Sequence, residues 1–376
     1  MEELILPVYG IDFGYSEACI GIIDKDGNYI NIPNVFEAKD TFDCVVYIEN
    51  EAIVVGYYDA KFFSDEDDNN HVLMYPKKYL LSSEERIIDG KSYSSEEICS
   101  YIFKHLRQIG EEQGYYVKDV VLAVPSYFGS SEKIKLIKSL KLAEMNIIGM
   151  IPEPLAVVLA YLFSEKHLIK NVLIYDLGSF TFDVSVVKIC NDNILLDKDQ
   201  RPTLKILSCG GSKTLGGEDW SSRLLDFVLN ACCEENGIVP DDIDEETRQL
   251  IRYRVESTKK KLSNAESARI NVNVNGSITK VVITRENFEN ITLDLVERTM
   301  SYVEDTLTKI NNIPIDKVIV TGSSVHMPMI KPNLEKLFPD KVEIFDPYHA
   351  VAMGAAIYGI MISNDSFEFP ILKEEN

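Results

Sequence analysis

Two short segments, far apart in the chain, carry the same arrangement of chemistry-bearing residues. Gly10-Ile11-Asp12-Phe13-Gly14-Tyr15-Ser16 runs into Ala18-Cys19-Ile20-Gly21-Ile22-Ile23. Tyr175-Asp176-Leu177-Gly178-Ser179-Phe180-Thr181 runs into Phe182-Asp183-Val184-Ser185-Val186-Val187. In each, an apolar strand ends at Asp-x-Gly, a tight turn follows and an apolar strand returns. Turns of this kind present backbone N–H groups to an anion, and a neighbouring Asp can hold a hydrated cation. Two such turns in one chain predict a duplicated, two-lobe architecture gripping a magnesium nucleotide from both sides. Each turn taken alone is also an ordinary hairpin in which glycine punctuates a reversal.

Other residues with chemical potential lie on predicted helices. Glu153 precedes Pro154 and reads either as a metal-directed carboxylate or as a helix-start acid favoured by the macrodipole. Glu256, Lys259, Lys260 and Ser263 recur at i, i+3, i+4 and i+7, hence on one helix face. From spacing alone this face is also a solvated surface with an i, i+4 pair between Glu256 and Lys260.

The elements that must position these residues alternate between strand and helix. Residues 8–12, 19–23 and 29–32 read as strands, with Asp26-Gly27 as a hairpin turn, and 45–48 and 53–55 form a further pair. The acidic stretch 65–70 reads as a solvated insertion. Ser94-Ser95-Glu96-Glu97 predicts the capped start of a helix with Ile98, Tyr101, Ile102, His105 and Leu106 inward. A buried strand at 120–124 ends at Pro125. The helix around 131–143 turns Ile134, Ile137 and Leu140 inward, with Leu136 alongside. A strand at 147–151 precedes the Pro154-led helix over the apolar run 155–163. After Lys166 the strand–turn–strand pattern restarts. It is followed by a charged helical stretch 218–262, a small β element (269–275, 279–284) and a long helix 286–310. A strand at 317–320 precedes Thr321-Gly322-Ser323-Ser324, and the last helix, 350–362, carries Gly354, Ala355 and Ala356 for close packing. The fold class is α/β in two related halves.

Totals narrow the functional classes. At 376 residues the chain exceeds one compact core, and 45% hydrophobic with 26% charged residues is ordinary for a globular protein. Thirty-eight basic against 60 acidic residues give a net charge of −22, a field that repels nucleic acid and anionic membranes. A polyanionic ligand must therefore be held by local donors and a metal. No apolar run reaches the length of a membrane span, and a strand at 4–11 stands where a signal sequence would. Seven cysteines without a Cys-x-x-Cys pair predict reduced thiols and a cytoplasmic location. Five histidines without zinc-ligand spacing argue against a zinc site.

The ordered motifs resemble the nucleotide-binding domain of the heat-shock protein 70 family, within the actin-like ATPase superfamily, from Gly10 to about Ile362. The segments that carry this are Gly10–Gly14, Val124-Pro125-Ser126-Tyr127-Phe128, Pro152-Glu153-Pro154, and Asp176-Leu177-Gly178 through Ser185. Leu215-Gly216-Gly217-Glu218-Asp219, Lys261-Leu262-Ser263 and Ala350-Val351-Ala352-Met353-Gly354-Ala355-Ala356 complete the set. The resemblance implies duplicated ribonuclease H-like domains with a nucleotide cleft between lobes. The expected limits are 1–166 (core 1–37 and 93–166, insertion 38–92), then 167–362 (core 167–216 and 289–362, insertion 217–288), and a tail 363–376. ATP or ADP with Mg²⁺ is the implied ligand, and K⁺ a further candidate ion.

Residue by residue, the resemblance implies that Asp12 holds Mg²⁺ through water, with Glu153 and Asp176 completing its surroundings and Asp183 nearby. Gly14, Tyr15 and Ser16, and on the other side Gly178, Ser179, Phe180 and Thr181, would meet the phosphates with backbone N–H groups. Gly216, Gly217, Gly322, Ser323 and Asp346 would line the nucleotide. Glu256 and Lys259 would bond the ribose, Lys260 cover the base and Ser263 reach its nitrogens. Lys77 best matches the family's phosphate-contacting lysine, and with Glu153, Asp176 and Thr181 would form the catalytic group. Pro76 stands where a small residue is usual, so Lys78 or neither lysine could take the role.

Departures cluster on the phosphate side. Ser179 and Phe180 stand where the family has glycines, and a positive φ there would cost about 1–3 kcal/mol. Phe180 places a ring beside the γ-phosphate position and Tyr15 replaces a small threonine. Thr321-Gly322-Ser323 is a reduced glycine pair, His326 replaces Arg, Tyr348 replaces Asp, and Lys260 stands where Arg stacks better. Nucleotide binding is expected to survive, with slow or lost hydrolysis. The alternatives are a non-catalytic nucleotide-binding regulator, an actin-like filament protein and a sugar-kinase-like enzyme. Co-chaperones and nucleotide exchange factors are the implied partners of a monomer. The residues after Ile362 are too few for the family's peptide-binding sandwich and lid, which makes the chain a fragment or a stand-alone domain.

Overall fold

Strand β1 (Val8–Phe13) is buried along its length except at Asp12, and it organises the first half of the chain. The computed structural model describes residues 7–56, 71–82, 84–165, 169–190, 203–274 and 276–363. The acidic stretch 65–70, residues 4–6 of the first predicted strand and the tail beyond 363 lie outside them. The described chain divides into two units, one taking Met1–Lys170, Val187–Ile206 and Tyr348–Asn376, the other Asn171–Val186 and Leu207–Pro347.

In the first unit β1 is followed by β2 (Glu17–Ile23), β3 (Tyr29–Asn31), β4 (Phe42–Asp43), β5 (Val45–Glu49), β6 (Ala52–Val55), β7 (Val72–Met74), β8 (Arg86–Ile88) and β9 (Lys91–Tyr93). Asp24 accepts the N–H of Asp26 and of Asn28, and Gly27 takes a left-handed φ of 82°, so the Asp26-Gly27 turn forms as expected. Helix α1 (Ser95–Glu112) starts at the predicted Ser94–Glu97 capping box. β10 (Asp119–Val124), α2 (Ser130–Leu142), β11 (Asn146–Pro152) and α3 (Glu153–Glu165) follow. The main sheet runs β11-β10-β1-β2-β3, with β4 on β2. β1, β10 and β11 are mutually parallel, so their C-terminal ends share one edge. On α2 the buried residues are Leu136, Ser139 and Leu140, whereas Ile134, expected inward, is 52% exposed. Three-residue spacing drifts off a 3.6-residue face, and the face centred on Leu136 and Leu140 wins.

The second unit repeats the plan. β12 (Asn171–Leu177), β13 (Phe182–Cys190) and β14 (Thr203–Ser212), of which the end of β13 and the start of β14 are counted with the first unit, precede α4 (Gly217–Asn236) and α5 (Glu245–Leu262). Then come β15 (Ser267–Val274), β16 (Ser277–Thr284), α6 (Arg285–Ile291), α7 (Leu293–Thr308), β17 (Lys317–Thr321), α8 (Ile330–Leu337) and β18 (Val342–Ile344). The sheet runs β14-β13-β12-β17-β18, the order of the first sheet with β12 in the place of β1. β12, β17 and β18 are parallel.

Three expectations change here. The stretch 218–262 is two helices, because Gly237 ends α4 at a left-handed φ of 63° and Pro240 opens a separate turn. The stretch 286–310 is also two helices, broken at Thr292, whose hydroxyl donates to the Phe288 carbonyl at 2.7 Å. β14, α8 and β18 were not anticipated.

The last helix, α9 (Ala350–Ser363), was expected with the second half but belongs to the first unit, where it packs on α3 and β1. Small residues set that distance. A methyl on Gly354 would lie 1.8 Å from the Ala156 carbonyl oxygen of α3, an atom fixed by its own helix. Gly354→Ala should therefore lower the unfolding free energy by roughly 1–3 kcal/mol. Urea unfolding with an unchanged m-value would show it.

Candidate functional site

The first unit gathers four of the expected residues at the C-terminal edge of its sheet. Asp12 nears the end of β1 and Gly14 turns the chain, its N–H donating to the Glu17 carbonyl at 2.9 Å. Glu153 opens α3 directly after β11 on the same edge. Lys77 arrives from a 3-10 turn, Pro76–Leu81, packed on α1 and α2. Its side chain is 4% exposed and its Nζ donates to Glu153 Oε1 at 3.2 Å. The rings of Tyr15 and Phe128 each lie 5.6 Å from that ammonium. Lys78 is exposed, over the rings of Tyr75 and Tyr79. The geometry thus joins Lys77, not Lys78, to Glu153.

The electrostatics of this group are unbalanced. Burial, then the Glu153 carboxylate, push the Asp12 carboxyl up to about 7, with Lys77 opposing and Glu17 adding. Burial disfavours the Lys77 ammonium, but Glu153 and Asp12 hold its pKa above the ordinary lysine value. Two carboxylates share one buried cation, so a second cation would relieve the strain. Among the described residues no group of three or more His, Cys, Asp or Glu side chains could cage a metal. A hydrated Mg²⁺, which keeps most of its waters and takes one or two carboxylates, fits this donor set.

The second unit repeats the turn and ties it to a helix N-terminus. The Gly178 N–H donates to the Thr181 carbonyl at 3.0 Å, the same closure as at Gly14. Asp176 lies in register with Thr321 of β17. Gly217 and Glu218, at the start of α4, donate their N–H groups to the carbonyls of Gly178 and Ser179 at 3.0 and 2.9 Å. The Ser324 N–H donates to the Leu177 carbonyl at 3.0 Å, and the hydroxyls of Ser179 and Ser323 are 3.2 Å apart. Gly322 holds a φ of 100°, and a methyl there would meet Asp176 Oδ1 at 2.5 Å. Asp346 follows β18, which pairs parallel to β17, so it reaches the same edge. Residues 178–181, 216–218 and 322–324 therefore converge.

Backbone strain at Ser179 and Phe180, expected if φ were positive, is not found. Neither is among the residues with positive φ. The two loop residues keep negative φ, as in a type I turn and unlike the primed turns. In both turns the leading glycine, Gly14 or Gly178, uses its own N–H to close the hairpin.

On α5, Lys259 is buried and its Nζ meets three acceptors. These are the Gly217 carbonyl at 3.0 Å, Ser221 Oγ at 2.7 Å and Glu256 Oε2 at 2.9 Å. Ser221 Oγ also bonds Glu256 Oε2 at 2.7 Å. The partner of Glu256 is therefore Lys259 at i+3; Lys260, expected at i+4, is exposed. Burial works against the Glu256 carboxylate, yet Lys259, the Ser221 hydroxyl and Lys260 hold its pKa below the usual range. Ser263 caps the end of α5, half-buried. Sequence reasoning misses Ser221, and it quotes Phe128 within a family segment without giving it a role. Ser221 lies one helical turn past Gly217, and Phe128 three residues past the proline that ends β10; both positions were readable signals.

A family model described as Hsp70 protein matches residues 8–372. The chain is 28% identical over 371 residues to the chaperone protein DnaK of Mycoplasma mobile, covering 95% of this chain and 59% of that one. It is 28% identical over 379 residues to the chaperone protein DnaK of Thermosipho melanesiensis, with 95% and 60% covered. The chaperone protein DnaK of Mycoplasmoides gallisepticum is 27% identical over 372 residues, again with 95% and 60% covered. The chain spans about three fifths of the length of these curated relatives.

Two expectations follow from the geometry. Lys77→Met leaves Glu153 and Asp12 without their buried cation and should cost about 3 kcal/mol in urea unfolding; adding Glu153→Gln should recover much of it. Glu256, held below its ordinary 4.5, contributes stability above that pH and loses it as pH falls through the lower folded value. The stability gap between the chain and Glu256→Gln should therefore be full at pH 7 and close in acid. Because that side chain is 39% exposed, the gap should be only about 1 kcal/mol.

Proposed function

From the footing that the chain belongs to the Hsp70 family, we propose that it binds Mg-ATP and Mg-ADP and hydrolyses ATP slowly. One observation carries this reading. Two sheets of one strand order each place an Asp-x-Gly hairpin, closed by the same glycine N–H bond, at the C-terminal end of the central strand. Ligands of open α/β sheets bind at such edges.

The roles proposed for the residues rest on the family resemblance and are supported by the contacts described above. Asp12 would hold magnesium through water, with Glu153 and Asp176 facing its hydration. Bound magnesium would supply neutralisation of phosphate charge. Lys77, already desolvated, would stabilise charge on the transferring phosphoryl group and orient the attacking water. The later residues of each turn, Tyr15 and Ser16, and Ser179, Phe180 and Thr181, would present N–H groups to the phosphates. The N-terminus of α4 at Gly216 and Gly217 adds the positive end of a helix dipole. Glu256 would bond the ribose, set in place by Lys259, while Lys260 and Ser263 would meet the base and Gly322, Ser323 and Asp346 would border it. K⁺ is a further candidate ion. Co-chaperones and exchange factors are the proposed partners of a monomer. A cytoplasmic setting agrees with the seven free thiols. No helix among the described residues is long and apolar enough to cross a membrane.

A second reading is a nucleotide-binding regulator that does not turn over. The enclosure of the Lys77 ammonium by Glu153, Tyr15 and Phe128 favours it. Calorimetry with ATP and ADP, with and without a chelator, joined to a single-turnover phosphate assay, separates the two. The first reading expects magnesium-dependent binding and measurable phosphate release. Binding without release would give place to the regulator, and Phe180→Gly should then restore release by removing bulk. No heat with either nucleotide would overturn both.

A further inference from the structure

The turn that carries Lys77 is too short to hold itself. A six-residue 3-10 turn leaves most of its carbonyls without a partner inside the helix. Outside contacts fix it. Tyr75 enters with a left-handed φ of 62°, and the Cys99 thiol donates to the Pro76 carbonyl at 3.5 Å. At the far end Lys135 Nζ donates to the Leu80 carbonyl at 2.9 Å and to the Ser82 carbonyl.

Lys135 is unusual among the basic residues of α2. Lys138, one turn on, makes an ordinary exposed pair with Glu96 at 3.4 Å. Among the described residues, the hydrogen bonds of Lys135 go to carbonyls closing the Lys77 turn. A cation at a helix C-terminus satisfies orphan carbonyls and complements the dipole. The same segment supplies Phe128, just before α2, whose ring faces the Lys77 ammonium. One stretch of chain therefore holds both the tip of Lys77 and the end of the turn that bears it.

We propose that Lys135 is a positioning residue for Lys77. By fixing the Leu80 and Ser82 carbonyls it sets the turn, and so keeps the Lys77 ammonium at Glu153. The consequence for phosphoryl transfer rests on the role given to Lys77 above. A misplacement of about 1 Å at such a group costs on the order of 100-fold in rate.

Lysine-selective acylation with a succinimidyl ester, followed by peptide mapping, tests the positioning without nucleotide. In the unaltered chain Lys77 should label slowly and Lys78 quickly. In Lys135→Met, labelling of Lys77 should rise about tenfold or more with Lys78 unchanged. Lys135→Arg, which keeps charged donors, should return Lys77 to slow labelling. In single-turnover assays Lys135→Met should lower phosphate release about tenfold or more while Mg-ADP affinity holds within about twofold. If the chain releases no phosphate, the ratio of ATP to ADP affinity is read instead. Equal protection of Lys77 in Lys135→Met overturns the proposal. Faster labelling with phosphate release or affinity ratio unchanged overturns its functional half. Absence of nucleotide binding by the unaltered chain removes the role of Lys77, while labelling still decides the positioning. Should circular dichroism show Lys135→Met unfolded, Lys135→Gln, which keeps uncharged donors, is read in the same way.

Discussion

Burial of charge at a sheet edge is the constraint on which the rest of this molecule turns. Asp12, Lys77 and Glu153 share one edge where desolvation disfavours the Asp12 carboxylate and the Lys77 ammonium, and their mutual placement makes the charges tolerable. That placement needs three parallel strands ending together, because Asp12 and Glu153 come from the ends of β1 and β11 with β10 between. It also needs a cation delivered from outside the sheet, which the Pro76–Leu81 turn provides. The apolar packing of α9 and α3 below the sheet keeps those strand ends in register, with small residues setting a close approach between the helices.

The second unit meets the same problem with different chemistry. Its edge is built from backbone carbonyls, hydroxyls and a helix N-terminus, and its buried cation is tied inward. Gly217, Glu218 and Ser324 give their N–H groups to the carbonyls around the Asp176 turn, so the loops brace one another. Duplicated topology thus carries a buried lysine–carboxylate pair at the sheet edge of the first half, and loops braced on a helix N-terminus at that of the second.

Local features were legible in the sequence and long-range ones were not. The Asp-x-Gly turns, the Ser94–Glu97 cap and the Asp26-Gly27 hairpin depend on neighbours within a few residues, and each formed where expected. The breaks at Gly237 and Pro240 carried ordinary stop signals that the charged periodicity of 218–262 obscured. The break at Thr292 had no such signal, since it rests on a side-chain bond to Phe288. Glu153 and Lys77 are 76 residues apart, so no spacing rule could pair them; only the family resemblance singled out Lys77. The choice of Lys259 over Lys260 for Glu256 was invisible because i+3 and i+4 are both helix neighbours. The Gly217 carbonyl and Ser221 on another helix decide it. The home of α9 was hidden for the same reason, as its partner surface lies on α3 and β1.

The two buried lysines show why burial alone does not identify a ligand-binding cation. An ammonium has three N–H groups. Lys259 has an acceptor for each, in Gly217, Ser221 and Glu256, so engaging a ligand would require it to abandon a bond already made. Lys77 is equally shielded from water, yet among the described residues its one hydrogen bond is to Glu153, and the rings of Tyr15 and Phe128 accept no more than diffuse attraction. It therefore retains hydrogen-bonding capacity in a place where unsatisfied donors are costly. Lys77 is thus a desolvated cation with spare donors beside two carboxylates, a combination that a further polar group would complete. This separates the roles of the two lysines more sharply than their burial does. Lys77 keeps donors to spare, whereas Lys259 acts as a strut between α4 and α5.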